Sequence, residues 1–504
     1  MIRLAPGGAG QTVRSSLVAP HLPERALGAV LRDVPSAQLR GDAAIAIDGL
    51  AYRTDDVAAG SLFFCVPGSR LDGHDFAPEA LARGAVALVV ERPLGLEVAE
   101  AVVPSVREAM GPVSASFYGR PADAMTVVGI TGTNGKTTTT YLLEAVFRGT
   151  GHTPGVIGTT GVRIDGASVP FARTTPEAPD LHRLLAEMVA AGVEATAMEV
   201  SSHGLDQHRV DGLRFAVAVF TNLTQDHLDY HRSMAAYFDA KARLFTPELS
   251  DLAVVNHDHD EGRRLGGRIP TITYGTTYGA DVRASEVETS PGGIAFRVGA
   301  TWIHSRLRGR FNVENCLAAF ATARALGLDE RVAADAISSV GVVPGRVESV
   351  EAGQDFLVLV DYAHTPDGVE NVLRAARSLA SGRVIVVFGC GGDRDRAKRP
   401  LMGRAATANA DRTILTSDNP RSEDPLAILA EIEPGARDGG GSYVVEPDRR
   451  AAIRRALTEA APGDVVVIAG KGHEAYQELA DRTIEFDDRR VAAEELRALG
   501  TVPS

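Results

Sequence analysis

The stretch that most constrains this 504-residue chain is a short apolar run, 125–130, leading into Gly132-Thr133-Asn134-Gly135-Lys136-Thr137-Thr138. An aliphatic run this short, closed by glycine, reads as a buried strand ending in a tight turn. The pattern from Lys136 onward reads as a helix. Strand, glycine turn and helix in that order place several backbone N–H groups around one point, at the positive end of the helix, which makes a cradle for phosphate. Such a cradle also needs a lysine for the terminal phosphates and a hydroxyl for Mg²⁺, and Lys136 and Thr137 are residues of those types. The strict spacing G-x-x-x-x-G-K-[ST] is not met, because Ile130 stands where its first glycine would be.

The same grammar recurs along the chain. At roughly 150 residues per domain, the length suggests about three domains. The first region, 1–123, has strand-like pieces at 61–66 and 86–90 with a helix at 77–83 between them. The second, 124–344, adds apolar runs at 195–200, 215–220 and 252–255. The third, 345–504, opens around Pro344-Gly345-Arg346 and has runs at 356–360, 383–388, 412–415 and 464–469, with helical stretches alternating. Short apolar strands alternating with helices predict an α/β protein with parallel sheets, whose ligands gather at the carboxyl ends of the strands. The expected architecture is a central P-loop-type parallel-sheet ATPase domain flanked by an N-terminal α/β domain and a C-terminal Rossmann-like α/β domain. Asp438-Gly439-Gly440-Gly441-Ser442 is expected to be a mobile surface loop.

Composition narrows the function classes. A formal charge of −13 argues against broad nucleic-acid binding. The three cysteines, Cys65, Cys316 and Cys390, are widely spaced, odd in number and lack metal-site spacing, as expected of reduced residues in a cytoplasmic protein. No apolar run suits a signal peptide or a membrane helix, so no membrane insertion is expected.

Two further segments bear on phosphate chemistry. Glu199 closes one apolar run and is followed by Ser201-Ser202-His203-Gly204. A carboxylate at a strand end beside a phosphate loop can serve as a Mg²⁺ ligand, although a plain strand-end acid looks the same. Thr221-Asn222-Leu223-Thr224-Gln225-Asp226-His227-Leu228-Asp229-Tyr230-His231 then packs two acids and two histidines into six residues. That density suits metal and phosphate chemistry, but the spacing is not that of a zinc site.

With these motifs in order, the chain resembles the Mur ligases, the ATP-dependent amide-forming enzymes of peptidoglycan precursor synthesis. The likeness runs over nearly the whole chain and adds Gly309-Arg310-Phe311-Asn312-Val313-Glu314-Asn315, Pro344-Gly345-Arg346 and Asp361-Tyr362-Ala363-His364-Thr365-Pro366 to the segments above. It implies that ATP phosphorylates a substrate carboxylate and that an amine displaces phosphate from the resulting acyl phosphate. Lys136, Glu199, His227 and Lys241 are the implied catalytic set. Thr137 and Glu199 would hold one Mg²⁺, and His227 with a carbamylated Lys241 a second. Read locally, Lys241 in Tyr237-Phe238-Asp239-Ala240-Lys241 is an ordinary solvated helix lysine; the resemblance reverses that. Asn312, Arg346, Asp361 and His364 would complete the nucleotide site from a domain junction.

The resemblance also points to substrates. Asp418-Asn419-Pro420-Arg421 matches ligases that accept meso-diaminopimelate, whereas lysine-adding relatives lack this arginine. The chemistry agrees, because diaminopimelate carries a second carboxylate and a guanidinium grips a carboxylate with two parallel hydrogen bonds. Arg394, Gly470 and Glu474 match the rest of that pocket. The other substrate implied is UDP-MurNAc-L-Ala-D-Glu. Thr174, Thr175, Ser201, Gln207 and Arg209 match its central contacts, and Thr54, Ser69, Arg70 and Leu71 its nucleotide end. The family's Asp-Ser-Arg appears here as Arg53-Thr54-Asp55, with the hydroxyl kept and the charges exchanged. A monomer is expected. The alternatives are a lysine-adding or folylpolyglutamate-type ligase, and a non-catalytic nucleotide-binding clamp.

Overall fold

The computed structural model describes residues 25–68, 71–169, 171 and 173–500; Ser69 and Arg70 lie outside the described residues. Three sheets organise the chain. The N-terminal sheet has the order Gln38–Arg40, Ala99–Val102, Ala85–Val90, Ser61–Phe64, Gly49–Ala51, parallel except for its first strand. The central sheet has eleven strands. Its parallel heart runs Pro154–Gly158, Ala195–Glu199, Thr126–Thr131, Phe215–Phe220, Ser250–Asn256, Thr271–Gly275. The C-terminal sheet runs Glu348–Ser349, Leu357–Asp361, Val465–Ala469, Val384–Phe388, Arg412–Leu415, Ser442–Val445, parallel except for its first strand.

Register brings the polar motifs to one edge. Glu199 pairs with Ile130 and Phe220 with Thr131, so three strands of the central sheet end side by side. Glu199, the glycine turn and the segment after Phe220 therefore emerge together. In the C-terminal sheet, Asp361 pairs with Ala469 and Phe388 with Leu415, which brings together the loops that start at Tyr362, Gly389, Thr416 and Gly470.

The helix Lys136–Gly149 anchors the glycine turn from behind. Its Leu142, Leu143, Val146 and Phe147 are buried in a core shared with the helices Phe311–Ala325 and Glu330–Ser339. Each such side chain contributes about 1.5–3 kcal/mol, so the loop rests on a rigid base. The cysteines are free and buried. Among the described residues no helix is long and apolar enough to cross a membrane.

Two features depart from the sequence reading. The central sheet continues past Thr271–Gly275 into Val282–Ser290, Gly293–Val298 and Thr301–Ser305, the last three joined antiparallel. These strands bury one face only, so they carry no continuous apolar run to betray them. The glycine-rich 438–442 segment is not a loose loop. The helix Pro425–Asp438 runs into it and Ser442 begins a strand. Side chains at Gly439 and Gly441 would collide with Thr407, so the glycines there serve close packing on the helix Lys398–Asn409.

Candidate active site

The glycine turn has the backbone its composition requires. Gly132 and Gly135 have φ of 145° and 89°, and side chains there would strike Thr221 Oγ1 and Asn315 Oδ1. Lys136 Nζ folds back to donate to the carbonyls of Gly132 at 2.9 Å and Thr133 at 2.8 Å. Desolvation lowers its pKa, with Glu199 pulling the other way. Asn134 N donates to Asn222 Oδ1 at 2.9 Å, and Thr221 Oγ1 donates to Asn134 O at 2.6 Å, so the segment after Phe220 braces the loop.

Glu199 is buried at the foot of the loop. Its Oε1 accepts from Thr137 Oγ1 at 3.0 Å and Thr159 N at 2.9 Å, and its Oε2 accepts from Thr159 Oγ1 at 3.0 Å. Arg346 Nη2, from the third region, donates to the same Thr137 hydroxyl at 2.9 Å. The Thr137 hydroxyl thus bridges Glu199 and Arg346.

Asp226 gathers charge from both domains. Its carboxylate lies 3.3 Å from His227 Nε2, 3.5 Å from His364 Nε2 and 3.2 Å from Lys398 Nζ. Burial alone would raise its pKa, but His364, Lys398 and His227 prevail and hold it well below the usual carboxylate range. Burial takes His227 down to about 3, which keeps its imidazole neutral. Lys241 is wholly buried beneath the loop, where its Nζ donates to Gly132 O at 2.8 Å. Desolvation, reinforced by Lys136, drives its ammonium well below the usual lysine range. The solvated-lysine reading of Lys241 is therefore wrong on burial.

Two clefts open from the loop. One, of about 610 Å³, is lined by Lys136, Thr137, Thr174, Glu199, Ser201 and His227 on the central side and by His364, Arg394, Asp418, Asn419, Arg421, Gly470 and Glu474 on the other. The second, of about 530 Å³, is lined by Thr138, His259, Phe311, Asn315, Asp361 and Asp367, and shares Asn134, Gly135 and Arg346 with the first. Asn312 is on neither wall. It accepts from Asn315 Nδ2 at 2.8 Å, so the amide facing the second cleft is one turn further on. Asp361 accepts from Val347 N and Ala363 N, each at 2.8 Å, and burial raises its pKa.

At the far end of the first cleft, Lys471 Nζ donates to Asn419 Oδ1 at 2.9 Å and to Glu474 Oε2 at 3.2 Å, while Asn419 Nδ2 donates to Glu474 Oε2 at 2.9 Å. Arg421 is held by Glu478 and by Gly392 O, and Arg394 donates to Asp393 O. Pro420 does not line the cleft. Thr175, Gln207 and Arg209 form a patch beside it: Arg209 donates to Thr175 O at 2.9 Å and Gln207 Oε1 at 2.6 Å, and Thr175 Oγ1 to Ser201 Oγ at 3.1 Å. Arg107, Arg173 and Arg209 all pair with Glu177 there. Thr54 and Leu71 lie outside both clefts, and among the described residues the ion pairs of Arg53 are exposed ones with Asp55 and Asp56, at 3.8 and 3.9 Å.

Sequence reasoning missed Thr159, Asn315, Lys398 and Lys471. Lys471 was in plain view, sitting inside Gly470-Lys471-Gly472-His473-Glu474. Lys398 carries no local signal, because its partner Asp226 is 172 positions away.

A phosphate loop facing a second α/β domain is the arrangement expected of an ATP-dependent ligase of the Mur type, and the comparisons establish that class. Three family models match in order: "Mur ligase family, catalytic domain" at 46–118, "Mur ligase middle domain" at 130–323 and "Mur ligase, glutamate ligase domain" at 345–472. The chain belongs to the Mur ligase family and is an enzyme of its ATP-dependent, amide-bond-forming kind. A relative from Geobacillus thermodenitrificans, a UDP-N-acetylmuramoyl-L-alanyl-D-glutamate–2,6-diaminopimelate ligase, is 51% identical over 449 residues, spanning 86% of this chain and 92% of the relative. A solved structure of a ligase of that description is 34% identical, with a TM-score of 0.66, over 95% of this chain and 99% of its own. The MurF ligase of Thermotoga maritima in complex with ADP shares the fold at 20% identity, with a TM-score of 0.60, over 90% of this chain and 97% of its own.

Proposed function

We propose that the enzyme joins meso-2,6-diaminopimelate to the D-glutamate carboxylate of UDP-MurNAc-L-Ala-D-Glu in peptidoglycan synthesis, with ATP converted to ADP and phosphate. The observation that carries this reading is the continuous first cleft, which has Lys136, Glu199 and His227 at one end and Asn419, Arg421 and Glu474 at the other. ATP would lie with its phosphates on 132–138 and its base in the second cleft. Arg346, Asp361 and His364 would enclose it from the third region, with Asn312 acting through Asn315.

The carboxylate and the γ-phosphate are both anions, so bringing them together requires positive charge fixed in place beforehand. Lys136 supplies it on rotating from the Gly132 and Thr133 carbonyls to the phosphates. A hydroxyl and a carboxylate are hard oxygen donors, and so small a protein set fits Mg²⁺, which keeps waters and phosphate oxygens as its other ligands. Thr137 and Glu199 would hold that ion, and when bound it neutralises phosphate charge. His227, kept neutral, can offer a lone pair to a second ion. Lys241, buried and tending to the free amine, can add CO2 to give a carbamate and a proton, replacing a cation with an anionic oxygen ligand.

At the other end, Glu474 and Asn419 suit the ammonium and carboxylate of the incoming amino acid, and Arg421, with Arg394, suits its distal carboxylate. Thr174, Thr175, Ser201, Gln207 and Arg209 would hold the dipeptide, and Thr54, Ser69, Arg70 and Leu71 the nucleotide end. The proposed domains are 1–123, 124–344 and 345–504. A monomer working in the cytoplasm, where ATP and nucleotide sugars are made, completes the reading.

An oxygen-transfer experiment tests the acyl phosphate. The carboxylate oxygen that attacks the γ-phosphorus leaves with phosphate when the amine adds. With ¹⁸O in the D-glutamate carboxylate, one labelled oxygen should appear in each phosphate released; label confined to the peptide would reject the route.

A further inference from the structure

We infer that Glu478 is a positioning residue for amino-acid specificity: from behind the cleft wall it sets which edge of the Arg421 guanidinium faces the incoming substrate. The inference rests on the proposed role of Arg421. Glu478 ends the strand Tyr476–Glu478, which pairs with Thr483–Glu485, and it does not itself line the cleft. It grips the loop 419–421 at three points. Its N–H donates to Asn419 Oδ1 at 3.0 Å, its carbonyl accepts from Arg421 N at 3.0 Å, and its Oε2 accepts from Arg421 Nε at 2.9 Å. Gln477 adds a fourth tie, from Nε2 to Asp418 O at 2.6 Å. Arg421 has a φ of 51°, a left-handed conformation that disfavours a residue with a Cβ, and these bonds hold it there.

A guanidinium has five N–H donors in a fixed plane. In Arg421 the Nε donor is committed to Glu478 and one Nη1 donor to Gly392 O at 2.9 Å. Both Nη2 hydrogens and one on Nη1 remain; one of the Nη2 pair lies on the Nε edge, and the other, with Nη1, forms the terminal edge, able to receive a carboxylate with two bonds. The Nε edge is closed to substrate. The negative charge of Glu478 opposes a substrate carboxylate, but its side chain is 43% exposed and solvent screens that repulsion. Fixing a side chain with so many rotatable bonds therefore prevails. A substrate lacking the second carboxylate gains nothing from this edge, so the effect is confined to diaminopimelate.

Steady-state phosphate release by wild type, Glu478→Ala, Glu478→Gln and Arg421→Ala, with diaminopimelate varied, tests this. Glu478→Ala should raise KM for diaminopimelate about tenfold, with kcat and the KM values of ATP and the UDP-dipeptide nearly unchanged. Glu478→Gln should recover most of the loss, because an amide oxygen still accepts from Nε. An unchanged or lower KM in Glu478→Ala, no recovery in Glu478→Gln, or an equal rise in the KM of ATP overturns the inference. If Arg421→Ala is equally silent, the role of Arg421 has failed as well; if Arg421→Ala raises KM and Glu478→Ala does not, only the positioning by Glu478 has failed.

Discussion

Replacing Arg421 by alanine should lower kcat/KM for diaminopimelate about 100-fold, the scale of one bidentate, charge-assisted pair lost from a partly desolvated site. Arg421 is tied into its loop by Glu478 and Gly392 O and lies on the wall of the first cleft. Arg421→Lys should recover little, since a single ammonium cannot reproduce a planar pair of parallel donors. The loss should not extend to ATP binding, because Arg421 is bonded to Glu478 and Gly392 O and not to Lys136 or the 132–138 loop. Comparing KM for ATP and for diaminopimelate in one assay checks both parts. A fall in kcat that is equal for diaminopimelate and lysine would place Arg421 outside amino-acid recognition.

Replacing Lys136 by alanine should reduce kcat about 1,000-fold, the upper range for removing one preorganised charge from a developing anion. Thermal stability should change little. The two carbonyl bonds of Lys136 are lost, but so is a cation whose charge burial disfavours. Single-turnover phosphate release and a melting curve on the same preparation separate the two effects. Activity within tenfold of wild type would mean that Arg346 or Lys398 carries the charge instead.

The parts of the site that were legible in the sequence were those written as short local motifs at strand ends. The glycine turn, Glu199, His227, Asp418 to Arg421 and Glu474 follow parallel strands that end together in register, whereas Arg346 precedes the antiparallel strand Glu348–Ser349 and reaches the site through its bond to Thr137. What was not legible depends on distance or on sidedness. Lys398 meets Asp226 only across the domain junction, and the burial of Lys241 is set by the loop above it, not by its own helix. Asn312 and Asn315 share one helix, and only its packing decides that Asn315 faces the cleft. The outer antiparallel strands of the central sheet alternate buried and exposed residues, a weaker signal than the apolar runs of its heart. Arg53, Thr54 and Asp55 form a surface turn whose charges pair with Asp55, Asp56 and Arg83, so the exchanged charges leave no imprint on either cleft.

The most direct test of substrate choice is phosphate release from ATP by the unmodified enzyme with UDP-MurNAc-L-Ala-D-Glu and a panel of amino acids. Release should require both the UDP-dipeptide and an amino acid, with meso-diaminopimelate strongly preferred over lysine. Equal rates with lysine, or release that needs no amino acid at all, would contradict an amide ligase selected by Arg421.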